Sequence, residues 1–299
     1  MKNRIDKTFP FPVPVIAVFI AANGLIGAPF SGGSLLGFSA ALLLGIILLP
    51  LLLKVFKKIR LTGGIVFKAT ALFLAIAAFL PAVTAYEYCE FVYKAVLPHA
   101  DMWLIIILFA ACVLYLALSN DSALYKFAFL SFVLNFAVVA ALFTMSAKTF
   151  DFKNLSSAFK FSSFSFKETG EYACKLILPA AVAVLFLSIS DKNTTVPQVL
   201  CGGAAGALFS AIVVLDSVLS FGLPLAAKLD YPYIDDISTV TVGSLFTRMD
   251  ALAYFIFFAA YVLKCAVCVK TSARLISRAE QTSGDGRRMS DIRSGEAVY

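Results

Sequence analysis

Eight long apolar runs divide this chain, near residues 12–30, 34–55, 64–86, 101–118, 123–147, 173–190, 195–222 and 250–272. Most of the charge lies between them. A helix needs about 20 apolar residues to cross the hydrocarbon core of a bilayer, and each run approaches or exceeds that length. Of the 299 residues, 61% are hydrophobic and only 14% are charged. The mean hydropathy is +0.90. A water-soluble domain of this size keeps far more charge on its surface. The expected fold is therefore an all-α polytopic membrane protein. Residues 1–272 would form the transmembrane domain and residues 273–299 a flexible cytoplasmic tail, since the stretch from Ser277 is polar and carries both charge signs.

The first run is not a signal peptide. It has no small-residue cleavage site, and Pro12 and Pro14 stand at its entrance. Six cysteines (Cys89, Cys112, Cys174, Cys201, Cys265 and Cys268) fall mostly in or beside apolar runs and read as small buried side chains. With a single histidine, His99, in a link, no metal or other cofactor is expected. The net charge of +7 reflects cations at helix ends and does not imply nucleic acid. No nucleophile–base pair stands out, and no paired carboxylate set is expected within the membrane, so the chain is not read as an enzyme.

Orientation follows from the cations. Lys2, Arg4 and Lys7 precede the first run, Lys54, Lys57, Lys58 and Arg60 follow the second, and Lys264, Lys270, Arg274 and Arg278 lie at the last. With eight spans these segments share one side, which the positive-inside rule makes cytoplasmic, so both termini are expected there. Lys148, Lys153, Lys160 and Lys167, in the link after the fifth run, count against this assignment.

Two runs carry interruptions. Asn23, Gly24, Gly27 and Pro29 interrupt the first, and Pro179 falls inside the sixth. Glycines in a membrane helix can form a packing face. They can also mark a discontinuous helix whose freed backbone groups bind a polar ligand near the midplane. The first and sixth runs begin two possible five-helix repeats, and paired interruptions in corresponding positions are a sequence pointer to such a site. The seventh run holds a small-residue stripe, Gly202, Gly203, Gly206 and Ser210, suited to close helix contact. It also holds Asp216, which either lines the bundle interior or sits in the headgroup region.

Tyr86, Tyr88, Phe91, Tyr93 and Trp103 read as an interfacial aromatic belt. Glu90 and Lys94 have pairing spacing. Glu87, beside them, is a possible gating residue. Arg248 and Asp250 open the eighth run, Asp250 favourably placed at a helix N-terminus. Arg248 can snorkel or reach a carboxylate such as Asp235 or Asp236. Lys264 lies about 21 Å farther along the axis and either snorkels or projects into the bundle as a fixed positive charge. Asp216, Arg248, Asp250 and Lys264 join Glu87 as candidate gating or coupling residues. The stretch between the seventh and eighth runs reads as an outer loop with a short helix or re-entrant segment.

The segments AVTAYEYCEFVYKAVLP (residues 82–98), FTRMDALAYFIFFAAYVLK (residues 246–264) and FDFKNLSSAFKFSSFSFKETGEYACKLILPAAVAVLFLSIS (residues 150–190) together resemble the B subunits of spore germination receptors (GerAB type). That family is a branch of the amino acid–polyamine–organocation (APC) transporter superfamily. Met249 and Asp250 stand where the family has Ile and Glu. The resemblance covers about residues 12–272. It implies a ten-helix inverted-repeat bundle of the APC/LeuT-like kind, here shortened to eight transmembrane helices. It also implies a ligand site around unwound parts of helices 1 and 6. Carried onto this chain, the ligand-binding candidates are Asn23, Gly24, Gly27, Cys174, Pro179 and Ala180. The implied role is a membrane subunit of a nutrient germinant receptor for a small amino-acid-like ligand, working with A-type and C-type subunits in the spore inner membrane. The alternative is a secondary amino acid transporter in the bacterial cytoplasmic membrane.

Overall fold

The computed structural model describes residues 12–25, 35–62, 72, 85–86, 88–97, 99–158, 166–190, 194–226, 228–229, 231–239 and 250–295. All regular elements among them are helical. They are α1 (Pro12–Leu25), α2 (Leu35–Thr62), a π-helical turn (Val92–Val96), α3 (Met102–Leu118), α4 (Asp121–Ser146), α5 (Lys153–Ala158), α6 (Phe166–Ser190), α7 (Val196–Phe221), α8 (Leu223–Ala226), α9 (Pro232–Thr239) and α10 (Asp250–Gly295). Among the described residues, four helices are long and apolar enough to cross a membrane: α2, α4, α7 and the Ala253–Ser277 part of α10. Shorter apolar helices occupy Pro12–Ala21, Met102–Leu118 and Pro179–Ser190. Seven of the eight sequence runs thus coincide with helix, and the run at 64–86 lies largely outside the described residues.

Helix α1 is apolar on every side, which suits a helix enclosed by others rather than one with a lipid face. Val15, Ile16, Val18 and Phe19 are all buried, and α1 packs against α4, α6, α7 and α10. Its two prolines sit in the first turn, where amides have no intrahelical acceptor anyway. The outer helices are two-faced. On α2, Leu42, Leu49, Leu53 and Phe56 turn inward, while Leu43, Ile47 and Leu51 are exposed one turn apart. On α3, Ile105, Phe109 and Val113 face inward and Trp103, Tyr115 and Leu118 are among the most exposed side chains. Large exposed apolar side chains in such numbers are what a lipid-solvated surface requires.

The small-residue stripe of α7 explains its close fit on α1. A Cβ built on Gly202 would lie 2.9 Å from both the Ile16 Cβ and the Val13 carbonyl oxygen. On Gly206 it would lie 2.7 Å from the Ile20 Cβ and 2.8 Å from the Ala17 carbonyl oxygen. No side chain fits there, so glycine sets the helix separation. One turn on, the Ser210 hydroxyl donates to the Ile20 carbonyl at 3.2 Å.

The polypeptide seals the end of α7 with its own loop. Gly222 takes a φ of 73°, which ends the helix, and its amide donates to the Val218 carbonyl. The Leu219 carbonyl accepts from the Asp151 amide at 3.0 Å and from Asn154 Nδ2 at 3.1 Å. The link after α4 therefore folds down over the end of α7.

Some expectations change. Helix α6 begins at Phe166 and runs unbroken through Pro179 to Ser190. Proline removes one hydrogen bond, but unwinding further backbone in a lipid-solvated bundle would orphan more donors and acceptors than that. The aromatic belt splits in two. Tyr86 and Tyr93 are exposed, whereas Tyr88 and Phe91 are buried. Tyr88 stacks on Tyr261 with centroids 5.1 Å apart, and Phe91 meets Tyr231 at 4.7 Å. The Glu90–Lys94 pair forms at 2.7 Å. Beyond the last apolar stretch, where a flexible tail is expected, the backbone continues as helix to Gly295.

Candidate functional site

The candidates drawn from helices 1 and 6 are placed unevenly. Asn23 and Gly24 lie in the last turn of α1, and Gly27 lies outside the described residues. On α6, Pro179 and Ala180 are buried; Cys174 is helical, and its side chain lies outside the described ones. Ala180 lines a small apolar crevice of about 10 Å³ between α1, α2, α6 and α7, with Ile20, Leu42, Gly45, Ile177 and Ala207. Its walls are apolar and its space is about that of one water-sized group, so in this conformation it offers nothing to a charged ligand. On α1 the Ser210 hydroxyl donates to the Ile20 carbonyl, three residues before Asn23.

Charged and polar side chains gather elsewhere in the interior. Lys264, halfway along the apolar part of α10, is 0% exposed. It therefore projects into the bundle and does not snorkel. Its ammonium lies 5.4 Å from the centroid of the Tyr261 ring. That ring is itself stacked on Tyr88, and the Tyr88 hydroxyl donates to the Tyr254 carbonyl at 3.4 Å. An aromatic face offers a buried cation electrostatic stabilisation that alkyl packing does not. On α4 the buried stripe Leu124, Ala128, Ser131, Asn135, Val139 and Leu142 carries two polar residues into the interior. Asn135 Nδ2 donates to the Ser131 carbonyl at 2.6 Å, and its Oδ1 is buried with no donor among the described residues.

A buried polar cluster lies where α4, α7 and α9 converge. Asp216 is 0% exposed and Asp236, on α9, is 1% exposed. Asp216 thus lines the interior. The two carboxyls are within hydrogen-bonding reach of each other, with the Ser146 hydroxyl from α4 and the Ser220 hydroxyl from α7 beside Asp236. Tyr233 lies against both acids. Burial, the largest influence, raises the proton affinity of Asp236 above that of an ordinary carboxyl. The expectation that no paired carboxylates occur within the bundle is corrected here. The pair joins residues 20 apart across a link, a distance that sequence spacing along one helix cannot reveal.

At the opposite end of α4 a second charged cluster ties four elements. Asp121 Oδ1 lies 2.6 Å from Arg274 Nη2 and 3.0 Å from Lys270 Nζ. Lys270 also donates to the Ser119 carbonyl and Arg274 to the Ser190 hydroxyl. Nearby, Lys57 of α2 donates to the Thr194 carbonyl at 2.5 Å. Asp250 opens α10 as its first residue, with a side chain outside the described ones, and Glu87 and Arg248 lie outside the described residues.

The family model for spore germination proteins matches residues 47–279, from α2 into the long last helix. The chain belongs to the spore germination protein family. No curated protein matches it. The family match spans Pro179, Ala180, Asp216, Asp236 and Lys264, so the buried polar groups of this germination protein lie inside the shared region. The match and the apolar helices together make the chain an integral membrane protein.

Proposed function

We propose that this chain is the membrane subunit of a nutrient germinant receptor that binds a small amino-acid-like ligand. The family match over residues 47–279 carries this reading. Binding would take place around the end of α1 and the facing part of α6, with Asn23, Gly24, Gly27, Cys174, Pro179 and Ala180 as the contact region. The signal would pass to A-type and C-type partner subunits in the spore inner membrane, with both chain ends on the cytoplasmic side. A ligand can drive such a signal only by binding one conformation better than another. The APC-type inverted repeat is the architecture in which this site would work.

Buried Lys264 favours a second reading, a secondary amino acid transporter, because charged side chains inside a membrane bundle commonly mark solute or ion pathways. The deciding experiment is binding of a labelled amino-acid panel to the purified chain, followed by flux in proteoliposomes. Saturable binding lost in Gly24→Trp, without flux, supports the receptor. Flux without partner subunits supports the transporter. Absence of binding in folded chain with its partners present removes both.

A further inference from the structure

The Asp216 carboxyl is fully buried, and neither of its oxygens accepts a hydrogen bond from a donor among the described residues. Beside it stand a second carboxyl, Asp236, and the phenol of Tyr233, which is 3% exposed and whose hydroxyl also has no hydrogen-bond partner among the described residues. Two adjacent ionised carboxylates in a buried site repel strongly and lose their hydration together. A single proton between them removes one charge and turns the repulsion into a hydrogen bond, as in other carboxyl dyads. The carboxyls are close enough for that bond.

We propose that Asp216 and Asp236 form a proton-binding site whose shared proton fastens the short helix α9 onto the end of α7. Helix α9 is suited to act as a detachable piece. It has eight residues, too few to be stable alone, and it is held by one face: Tyr233, Ile234, Asp236 and Ile237. Among the described residues, the groups facing the pair include Ser220 from α7, Tyr233 from α9 and Ser146 from α4, while α10 contributes Phe257, 6.2 Å from the Tyr233 ring. Loss of the proton leaves two charges on the contact, and α9 lifts. The site binds a proton and takes no part in ligand contact, so it stands or falls separately from the receptor reading.

The test is infrared difference spectroscopy of the purified full chain during a pH titration, with hydrogen exchange of α9 read in parallel. A carbonyl stretch of a protonated carboxyl should be present at acidic pH and bleach as pH rises. It should be lost in both Asp216→Asn and Asp236→Asn, which keep the shape of the site. Exchange of α9 amides, corrected for the intrinsic pH dependence, should rise about tenfold through the same titration in the unmodified chain and stay flat in Asp216→Asn. Absence of the band in folded protein, or a band unaffected by both variants, overturns the assignment. So does a titration displaced by sodium, potassium or calcium, which would make the occupant a metal cation.

Discussion

The Arg274 guanidinium of α10 lies 2.6 Å from the Asp121 carboxylate that opens α4, although 153 residues separate them in sequence. Asp121 also holds Lys270, and Arg274 sits over the Phe186 ring at 5.3 Å. One carboxylate thus joins the start of α4 to α10, and Arg274 extends the contact to the end of α6. All three side chains are less than one third exposed, so the pairing is screened only partly.

Asp121→Asn is therefore expected to lower stability by about 1–2 kcal/mol, more than a surface pair and less than a fully buried one. Thermal unfolding in detergent measures this. In a double-mutant cycle, Asp121→Asn with Arg274→Gln should show a coupling of about 1 kcal/mol. Strict additivity of the two would mean that the contact contributes nothing of its own.

The glycine stripe predicts a graded series. Gly206→Ala drives a Cβ against the backbone carbonyl of Ala17 at 2.8 Å, and backbone cannot move aside cheaply. Gly203→Ala meets the Leu49 Cδ1 end at 3.1 Å, which can rotate away, and the Ile46 Cγ1 at an ordinary 3.9 Å. Gly206→Ala should cost about 1–3 kcal/mol and Gly203→Ala well under 1 kcal/mol. Equal effects at the two positions would contradict the close α1–α7 contact.

Much of this architecture is legible in the sequence because lipid solvation imposes long apolar runs and small residues mark helix contacts. Gly202 and Gly206 could be read that way before any coordinates. The Asp216–Asp236 pair could not, since it depends on how the link after α7 folds back. A partial signal does exist. In Tyr233, Ile234, Asp236 and Ile237 the spacing places Asp236 on the apolar face, and Ser220 follows Asp216 by four residues on α7. Pro179 misleads in the other direction, because a proline reads as a break and tertiary packing keeps α6 continuous. Tyr88 and Phe91 mislead likewise, because aromatic residues near a helix end are equally at home in a lipid interface and in a core.

Asp236 makes stability depend on pH. Burial raises its proton affinity in the folded chain. An acid shifted upward adds stability that is fully present below its unfolded titration range and is lost as pH rises through its folded one. The thermal midpoint should accordingly fall as pH rises above the ordinary carboxylate range. Asp236→Asn should flatten that part of the profile. A midpoint that instead rises over the same interval, with the slope unchanged in the variant, would refute the dependence.

Lys264 separates a structural role from a functional one. A buried ammonium is costly to desolvate, and replacing it by an unbranched apolar side chain of similar length removes that cost. Lys264→Met is thus expected to keep the fold, the relieved desolvation cost offsetting the lost contacts of the ammonium, the Tyr261 ring among them. If the cation serves the ligand or the coupled conformational change, the same variant should lose at least tenfold in amino-acid affinity or in germination response. Lys264→Arg keeps the charge but needs more room beside Tyr261, so it should retain part of the response at some cost in stability. A Lys264→Met chain that is stable and fully responsive would assign the residue to packing alone and remove the observation that favours the transporter reading.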